Sequence, residues 1–215
     1  MTDLFRCRAA LFDSDGVLVD SRRAAETAWS RWAERHGLDP QAVLDGMHGR
    51  RSRDTVAQHL DADAVEQATA EIDGYELDSA AQTAEIPGAA ALLRSIPDPA
   101  RAVVSSASRA LLSARLSAAG VPLPATLISG ELVGKGKPAP DPYLIAAEAL
   151  RVPITECVIF EDSENGIRAG RAAGAAAVIG VGEAALGQGC DAVIPELTAA
   201  RWTDEGVQLT RRLDG

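Results

Sequence analysis

Lysine is the scarcest charged residue in this chain of 215 residues. It occurs only at positions 135 and 137, whereas the chain contains 19 arginines. Both lysines lie in one loop sequence, GKGKPAPDP. Because arginine and lysine differ in shape and hydration, a chain that uses arginine almost everywhere else indicates that this loop needs a compact ammonium group.

Positive charge as a whole is also in deficit. The formal net charge is −10 and the isoelectric point is near 4.8. This excess of negative charge argues against nucleic acid or an anionic membrane surface as the main partner. It does not argue against a small anionic ligand, because one local cation can hold such a molecule.

Long apolar runs and cysteine patterns are missing as well. No stretch has the length of a membrane span, and the short apolar run at the start ends at Asp13, so we expect no signal peptide. The three cysteines, Cys7, Cys157 and Cys190, lack the spacing of a metal site. We expect them to be reduced thiols in a cytoplasmic protein.

Short β-rich runs alternate with alanine-rich helical segments over most of the chain. Such runs are too short for helices and lack strict alternation, which is typical of strands buried on both faces. Alternation of strands and helices predicts an α/β fold with a parallel sheet. The predicted strands cover residues 8–13, 101–105, 126–129, 157–161, 176–180 and 191–195.

Residues 20–85 contain no strand-like run. Trp29, Trp32 and Ala33 belong to an apolar stripe at helical spacing, which Gly37 ends. Further helices are predicted to start at Asp39-Pro40, Ser52 and Asp63. The sequence therefore predicts a core domain of residues 1–19 and 86–215 with an inserted helical domain of residues 20–85.

Small polar or charged residues follow each of the first four predicted strands. In an open parallel sheet these positions meet at one edge, which is where ligands bind. They are Asp13, Asp15 and Gly16 after the first strand, Ser105 and Ser106 after the second, the lysine loop after the third, and Glu161 and Asp162 after the fourth.

The four carboxylates of this set would repel one another without a cation. Carboxylate and carbonyl oxygens suit Mg²⁺. A Mg²⁺ ion, a lysine and nearby hydroxyl and backbone donors together form a site for a phosphoryl group. A carboxylate directed at that phosphorus can then act as a nucleophile.

Four segments of the chain resemble, in order and spacing, the four motifs of the haloacid dehalogenase superfamily of phosphohydrolases. The resemblance implies a Rossmann-like core with an inserted α-helical cap, and the insertion matches the small cap that follows the first motif. It is strongest to sugar- and polyol-phosphate phosphatases of the 2-deoxyglucose-6-phosphate and glycerol-1-phosphate type. The segments are FDSDGVLVDS (12–21), VVSSAS (103–108), KPAPDPYL (137–144) and FEDSENGIRAG (160–170).

The resemblance implies a role for two aspartates of the first motif. Asp13 would be the nucleophile that forms an aspartyl phosphate. Asp15 would be the general acid for the leaving alcohol and then the base that activates water. Asp13 and the backbone carbonyl of Asp15 would also bind Mg²⁺.

The other motifs carry the remaining implied roles. Ser106 would hydrogen-bond the phosphoryl oxygens, with Ser105 as the alternative register. Lys137 would pair with Asp13 and the phosphate. Asp162 would hold Mg²⁺, with Glu161 beside it or acting through water.

Four further residues are candidates for phosphate or substrate contact. Gly16 lies in the first motif. His48, Arg50 and Arg53 lie in or beside a loop of the insertion that can face the core. A solvated basic face is the alternative interpretation for the arginines.

These observations predict a Mg²⁺-dependent phosphatase for small sugar or polyol phosphate monoesters. We expect its partner to be a small phosphorylated metabolite, without nucleic acid or membrane, and the protein to be a monomer. One alternative is a phosphosugar mutase of the β-phosphoglucomutase kind, although residues 21–26 lack the histidine expected there. The other is a non-catalytic sugar-phosphate-binding protein.

Overall fold

A computed structural model describes residues 3–213 of the chain. None of its helices combines the length and apolar character that crossing a membrane requires. The strands in these residues are β1 (Asp3–Arg6), β2 (Ala9–Phe12), β3 (Val19–Asp20), β4 (Ala84–Glu85), β5 (Arg101–Val104), β6 (Leu127–Ile128), β7 (Cys157–Glu161), β8 (Ala177–Val181), β9 (Ala192–Ile194), β10 (Ala200–Thr203) and β11 (Gly206–Leu209). The α-helices are α1 (Arg22–Arg35), α2 (Pro40–Leu44), α3 (Ser52–Val56), α4 (Val65–Ser79), α5 (Ala89–Ser95), α6 (Arg109–Ala118), α7 (Asp141–Leu150) and α8 (Glu164–Ala173).

Six parallel strands form the central sheet, in the order β6-β5-β2-β7-β8-β9. Each of the six predicted strands is present, and no end differs from its predicted position by more than one residue. Strand β2 lies in the middle, where Phe12 pairs with Val103 of β5 and Phe160 of β7. The predicted α/β fold with a Rossmann-like parallel sheet is confirmed.

Both faces of this sheet are buried in apolar layers. Alternate residues of β2 enter different clusters, Phe12 on one face and Leu11 on the other. The Phe12 and Phe160 rings stack, with their centroids 4.7 Å apart. Helices α5 and α6 contribute to the first cluster, and α7 and α8 contribute to the second. Burial on both faces explains why these strands read as continuous apolar runs.

A second sheet of three antiparallel strands, β1-β11-β10, was not predicted. The outer strands β1 and β10 are only partly buried. Their sequences, DLFR and ARWT, mix charged and apolar residues over four positions. So short a mixture carries little periodic signal.

The four helices α1 to α4 lie between β3 and β4 and share a hydrophobic cluster of their own, centred on Trp32 and Ile72. The indole N–H of Trp32 donates to the carbonyl of Ala68, 3.0 Å away, and so ties α1 to α4. The two segments that connect these helices to the rest of the chain, β3 and β4, pair as a short antiparallel ribbon. Val19 lies opposite Glu85, and Asp20 lies opposite Ala84. On this ground we propose the division into a core (1–19 and 86–215) and a cap (20–85).

Polar side chains begin several helices. The Asp39 carboxylate accepts from the backbone N–H of Gln41 at the start of α2, and Ser108 accepts from that of Leu111 at the start of α6, both as expected from their types. Helix α7 begins differently. Asp141 is the first helical residue, and Pro140 precedes it without a side-chain cap.

Candidate active site

The motif residues lie at the carboxyl ends of β2, β5 and β7. Asp13 continues β2 by one residue, and its backbone N–H donates to the carbonyl of Phe160, 3.0 Å away. Ser105 continues β5 in the same way, donating to Ile128 at 2.9 Å. Sheet pairing therefore fixes the backbone beneath the site before any ligand binds.

Lys137 lies fully buried between two carboxylates. Its ammonium nitrogen is 2.7 Å from Asp13 Oδ1 and 2.7 Å from Glu161 Oε1, and it donates to the Val104 carbonyl at 3.2 Å. Its side chain is 0% exposed. Although burial alone would lower it, Asp13 and Glu161 raise the pKa of Lys137 above its ordinary value. The lysine is therefore held as a cation in the protein interior.

Glu161 is surrounded by hydrogen-bond donors. Lys137 and the Tyr143 hydroxyl, 2.6 Å away, donate to Oε1. The backbone N–H groups of Asp162 and Ser163 and the Ser163 hydroxyl donate to Oε2, at 3.0, 3.2 and 3.1 Å. Because both oxygens are engaged, this carboxylate is oriented toward the lysine by a rigid set of donors.

Negative charge exceeds positive charge in this buried cluster. Carboxylate oxygens of Asp13, Glu161 and Asp162 lie within 4.8 Å of one another, with one buried ammonium among them. Burial raises the pKa of Asp13, and Glu161 and Asp162 raise it further against the opposing effect of Lys137. Burial and then Glu161 raise the pKa of Asp162 to about 7. Uncompensated oxygen donors of this kind fit a hard divalent cation.

Arg22, at the start of α1, approaches one of these carboxylates. Its guanidinium is 3.2 Å from Asp162 Oδ2 and 3.3 Å from the ring nitrogen Nε2 of His48. Its side chain remains 41% exposed. Arg22 therefore compensates Asp162 from the solvent side, whereas Lys137 compensates Asp13 from the interior.

Gly16 permits the close approach of the first and fourth motifs. Its φ is +82°, and a Cβ at this position would lie 2.1 Å from Asp162 Oδ2. A larger residue would therefore strain the backbone and displace the carboxylate. Gly16 also lines the central cavity.

Asp15 is held through one of its two oxygens. Ser21 donates to Oδ1 at 2.6 Å, and Arg115 donates to the same oxygen at 2.9 Å. Among the described residues, the other oxygen, Oδ2, has one hydrogen-bond partner, Ser105 at 3.5 Å, the outer limit of a hydrogen bond. Asp15 thus has one anchored oxygen and one available oxygen.

The two serines of the second motif point to different partners. The Ser106 hydroxyl lines the cavity and donates to the Gly49 carbonyl of the cap at 2.8 Å. The Ser105 hydroxyl accepts from the backbone N–H of Ala107 at 3.1 Å and is not among the cavity-lining residues. The geometry thus favours Ser106 for ligand contact.

A cavity of about 80 Å³ separates the core motifs from the cap. Asp13, Asp15 and Asp162 form its floor, and His48 and Arg50 line it from the cap. Burial and then the charge of Arg22 lower the pKa of His48. Arg53 is exposed and lines a different surface depression. The structure does not bring Arg53 to this cavity, and its role in substrate contact stays a prediction.

Three side chains attach the cap loop of residues 46–51 to the core. Asn165 of α8 donates to the carbonyls of His48 and Gly46, at 2.9 and 3.3 Å, and Ser106 binds Gly49. Arg51 donates to the Val133 carbonyl at 2.8 Å, while Asp54 orients its guanidinium. The core thus positions the loop that carries His48 and Arg50.

Arg115 and Glu76 line the cavity although sequence analysis did not select them. A signal was present. Arg115 follows Leu111 and Leu112 by four and three residues on the buried face of α6, and Glu76 follows Ile72 by four on the buried face of α4. A charged residue at a core-facing helical position indicates a buried ion pair or a functional site.

Comparison with known families identifies the class of protein that this fold and site define. Residues 7–174 match the family model described as haloacid dehalogenase-like hydrolase. The chain belongs to this family, and the resemblance stated from its motifs is confirmed.

Individual relatives cover most of the chain. Hexitol phosphatase A of Escherichia coli (strain K12) is 40% identical over 174 residues, 79% of this chain and 81% of that protein. Glycerol-1-phosphate phosphohydrolase 2 of Saccharomyces cerevisiae is 30% identical over 206 residues, 88% of this chain and 82% of that protein. Among solved structures, a hydrolase from Pseudomonas syringae superposes with a TM-score of 0.80 at 20% identity, covering 88% of this chain and 94% of that one. That structural likeness bears on the fold alone.

Proposed function

We propose that this hydrolase is a Mg²⁺-dependent phosphatase that cleaves small sugar or polyol phosphate monoesters through an aspartyl phosphate on Asp13. The observation that carries the proposal is the buried Asp13–Lys137 pair at the edge of a cavity that also contains Asp15 and Asp162. Such a site offers a nucleophile, a proton donor and positive charge around one small volume.

The reaction class rests on the relatives. The hexitol and glycerol-1-phosphate enzymes are both named as phosphatases or phosphohydrolases. The prediction of a phosphoric monoester hydrolase is thereby confirmed. We extend their substrate class, small phosphorylated polyols and sugars, to this chain as a proposal.

Asp13 is suited to nucleophilic attack because its two oxygens have different environments. Lys137 binds Oδ1, and within residues 3–213 no hydrogen bond reaches Oδ2. In the first step Oδ2 forms a bond to phosphorus while the bond from phosphorus to the alcohol oxygen breaks. Lys137 orients the carboxylate during this step and stabilises the charge on the phosphoryl oxygens.

Asp15 moves the proton in both steps. Ser21 and Arg115 fix Oδ1, so the proton that goes to the leaving alcohol oxygen resides on Oδ2. In the second step the same oxygen accepts a proton from water, whose oxygen attacks phosphorus and releases phosphate from Asp13. Asp15 then carries the proton needed for the next cycle.

The buried negative charge of Asp13 and Asp162 fits Mg²⁺ as the cofactor. These two carboxylates and the backbone carbonyl of Asp15 would hold it. Bound there, the ion supplies electrostatic stabilisation to the phosphoryl oxygens. Because Glu161 already accepts from donors on both oxygens, we assign it to orienting Lys137 rather than to direct coordination.

The cap supplies the upper wall of the site. His48 and Arg50 reach the cavity from a loop that the core holds through Asn165 and Ser106. Closure of such a wall excludes bulk water during the first step. Ser106 remains our candidate for contact with the phosphoryl group, and Gly16 for its backbone approach.

The mutase alternative is not favoured, because the relatives described above are phosphatases. The structure also engages Arg51 with Asp54 and with backbone carbonyls of the core. In a mutase the arginines of residues 50–53 could hold a second phosphate, but these contacts engage all three guanidinium nitrogens of Arg51. Cytoplasmic localisation and a monomeric state stay predictions.

Phosphate release tests the proposal. Purified protein with Mg²⁺ is assayed on glycerol 1-phosphate, a hexitol phosphate and 2-deoxyglucose 6-phosphate, alongside Asp13→Asn. Asp20→Asn, at an exposed position in the hinge ribbon, is the matched control. We expect Mg²⁺-dependent release by the wild type and by Asp20→Asn, and a loss of at least a thousandfold in Asp13→Asn.

Borohydride added during turnover gives a direct readout of the intermediate. An acyl phosphate on Asp13 is reduced to homoserine, which mass spectrometry detects at that position. Full activity of Asp13→Asn, or reduction at another carboxylate, contradicts the proposed nucleophile. Absence of phosphate release from every substrate by folded wild-type protein contradicts the proposed function.

A further inference from the structure

A buried arginine connects the cap to the proposed acid–base residue. Arg115 of α6 is 3% exposed. One end of its guanidinium donates to Asp15 Oδ1 at 2.9 Å, and the other donates to Glu76 Oε1 at 3.1 Å. Glu76 belongs to α4 of the cap and is 7% exposed. This contact therefore brings a cap carboxylate over the reacting end of the site.

Glu76 retains an unused acceptor. Within residues 3–213 no hydrogen bond reaches its Oε2, although the residue lines the same cavity as Asp13 and Asp15. In the part of the chain that the structure describes, its single basic partner is Arg115, which is shared with Asp15. The Oε2 oxygen is open to the cavity, so a ligand hydroxyl that donates a hydrogen bond to it adds to the affinity.

The chemistry of this acceptor is selective. An ionised carboxylate accepts hydrogen bonds and cannot donate them. A hydroxyl group satisfies it, whereas a carboxylate or a second phosphate on the ligand is repelled at close range. Burial raises the pKa of Glu76 to about 7 against the opposing effect of Arg115, as expected for a carboxylate that lacks full compensation.

We propose that Glu76 determines specificity by accepting a hydrogen bond from a hydroxyl of the leaving group. The site thereby selects monophosphates of neutral polyhydroxy alcohols over phosphorylated acids and bisphosphates. This inference rests on the proposed function and refines it. Arg115 then has two roles, because it binds both Glu76 and the proposed proton donor Asp15 and so fixes their relative positions.

Paired substrates separate recognition from catalysis. Glycerol 1-phosphate and propyl phosphate have the same chain length and both release a primary alcohol, but only the first carries further hydroxyls. Sorbitol 6-phosphate and hexyl phosphate form a second pair. All four are assayed by phosphate release at pH 8, where Glu76 is ionised, with Glu76→Gln and the control Glu71→Gln. Glu71 lies on the same helix but pairs with His36 and Tyr75 within the cap.

We compare the pair whose polyol phosphate the wild type hydrolyses with the higher kcat/KM. We expect Glu76→Gln to lower kcat/KM for this polyol phosphate at least tenfold and to change kcat/KM for the matching alkyl phosphate less than twofold. The kcat/KM for phosphoglycolate relative to the polyol phosphate rises at least tenfold in the same variant. Glu71→Gln changes neither ratio. An equal fall for both members of a pair shows that Glu76 acts through Arg115 and Asp15 or through folding, and overturns the inference.

Binding without turnover provides a second test. Calorimetry on Asp13→Asn and on Asp13→Asn/Glu76→Gln measures affinity for glycerol 1-phosphate and propyl phosphate. We expect the second substitution to weaken binding of the first ligand about tenfold and to leave the second unchanged. Unchanged affinity for both refutes the inference whatever the activity assays give. A wild type that hydrolyses none of the substrates, together with the predicted binding difference, refutes the proposed function alone.

Discussion

Replacing Lys137 by methionine removes one buried charge while keeping the volume and length of the side chain. In the native protein this ammonium compensates Asp13 and Glu161, each 2.7 Å away. Removal of one partner from a buried ion pair costs about 3–5 kcal/mol. Glu161 keeps Tyr143 and three donors on Oε2, so most of the damage falls on Asp13. We therefore expect the lower end of that range, about 3 kcal/mol, or a fall in Tm of about 6–12 °C for a chain of this length.

Lys135→Met is the matched control, because Lys135 lies two residues away in the same loop and is exposed. Urea unfolding in Mg²⁺-free buffer at pH 7.5 gives both free energies of unfolding. We expect the control to stay within about 0.5 kcal/mol of the wild type. Phosphate release by Lys137→Met falls at least about a hundredfold, since positive charge beside the reacting group is lost.

The loss of unfolding free energy in Lys137→Met also depends on pH. Burial raises the pKa of Asp13, and the loss of Lys137 removes the main opposing effect. A carboxyl whose pKa is raised in the folded state loses stability as pH rises from its unfolded pKa through the folded one. The deficit of Lys137→Met is therefore smaller at pH 4.5 than at pH 7.5. A deficit below about 1 kcal/mol at pH 7.5, or one equal to that of Lys135→Met, refutes this account of the buried pair.

Three further predictions follow from the same geometry. Mg²⁺ at a hundredfold excess over its dissociation constant stabilises the wild type by about 2.7 kcal/mol in thermal unfolding. The substitution Asp162→Asn abolishes most of this stabilisation. Equal stabilisation of both proteins contradicts the assignment of Asp162 as a Mg²⁺ ligand. Burial raises the pKa of Glu76 from 4.5 to about 7, so the free energy of unfolding of the wild type falls by about 3 kcal/mol relative to that of Glu76→Gln as pH rises from 4.5 to 8. Urea unfolding of both proteins at both pH values measures this change. A difference between the two proteins that does not change with pH contradicts the raised pKa. Asn165→Ala removes the hydrogen bonds from α8 to the carbonyls of His48 and Gly46 in the cap loop. We expect steady-state kinetics to show a five- to tenfold higher KM with a smaller change in kcat. A fall in kcat alone argues against a role of Asn165 in positioning this loop.

Residues with a local signal were predictable from the sequence. The six central strands are apolar runs because both of their faces are buried, and their polar ends follow from the geometry of a parallel sheet. Lys137 could be selected because lysine is almost absent elsewhere, and Gly16 because it belongs to a motif. Each of these conclusions needed only neighbouring residues and composition.

Contacts between distant segments could not be predicted in the same way. Arg115 meets Asp15 across 100 positions and Glu76 across 39. The donors to Oε1 of Glu161 come from Lys137 and Tyr143, which are 24 and 18 positions away, so its orientation toward Lys137 is a tertiary property. Strands β1, β10 and β11 were missed for a related reason, because they are stabilised by pairing of the two chain ends and not by a pattern of their own.

The ribbon of β3 and β4 makes the cap separable by protein engineering. Asp20 and Ala84 lie opposite each other at its end, so a tight hairpin turn could replace everything between them. Such a shortened enzyme would retain the central sheet, Asp13, Lys137 and Asp162 while exposing Arg115 and Asp15 to water. The cap of a relative could be inserted at the same junction in place of residues 21–83. On the proposed function, the residues for leaving-group preference and those for phosphoryl chemistry would then lie in segments of this chain that can be recombined.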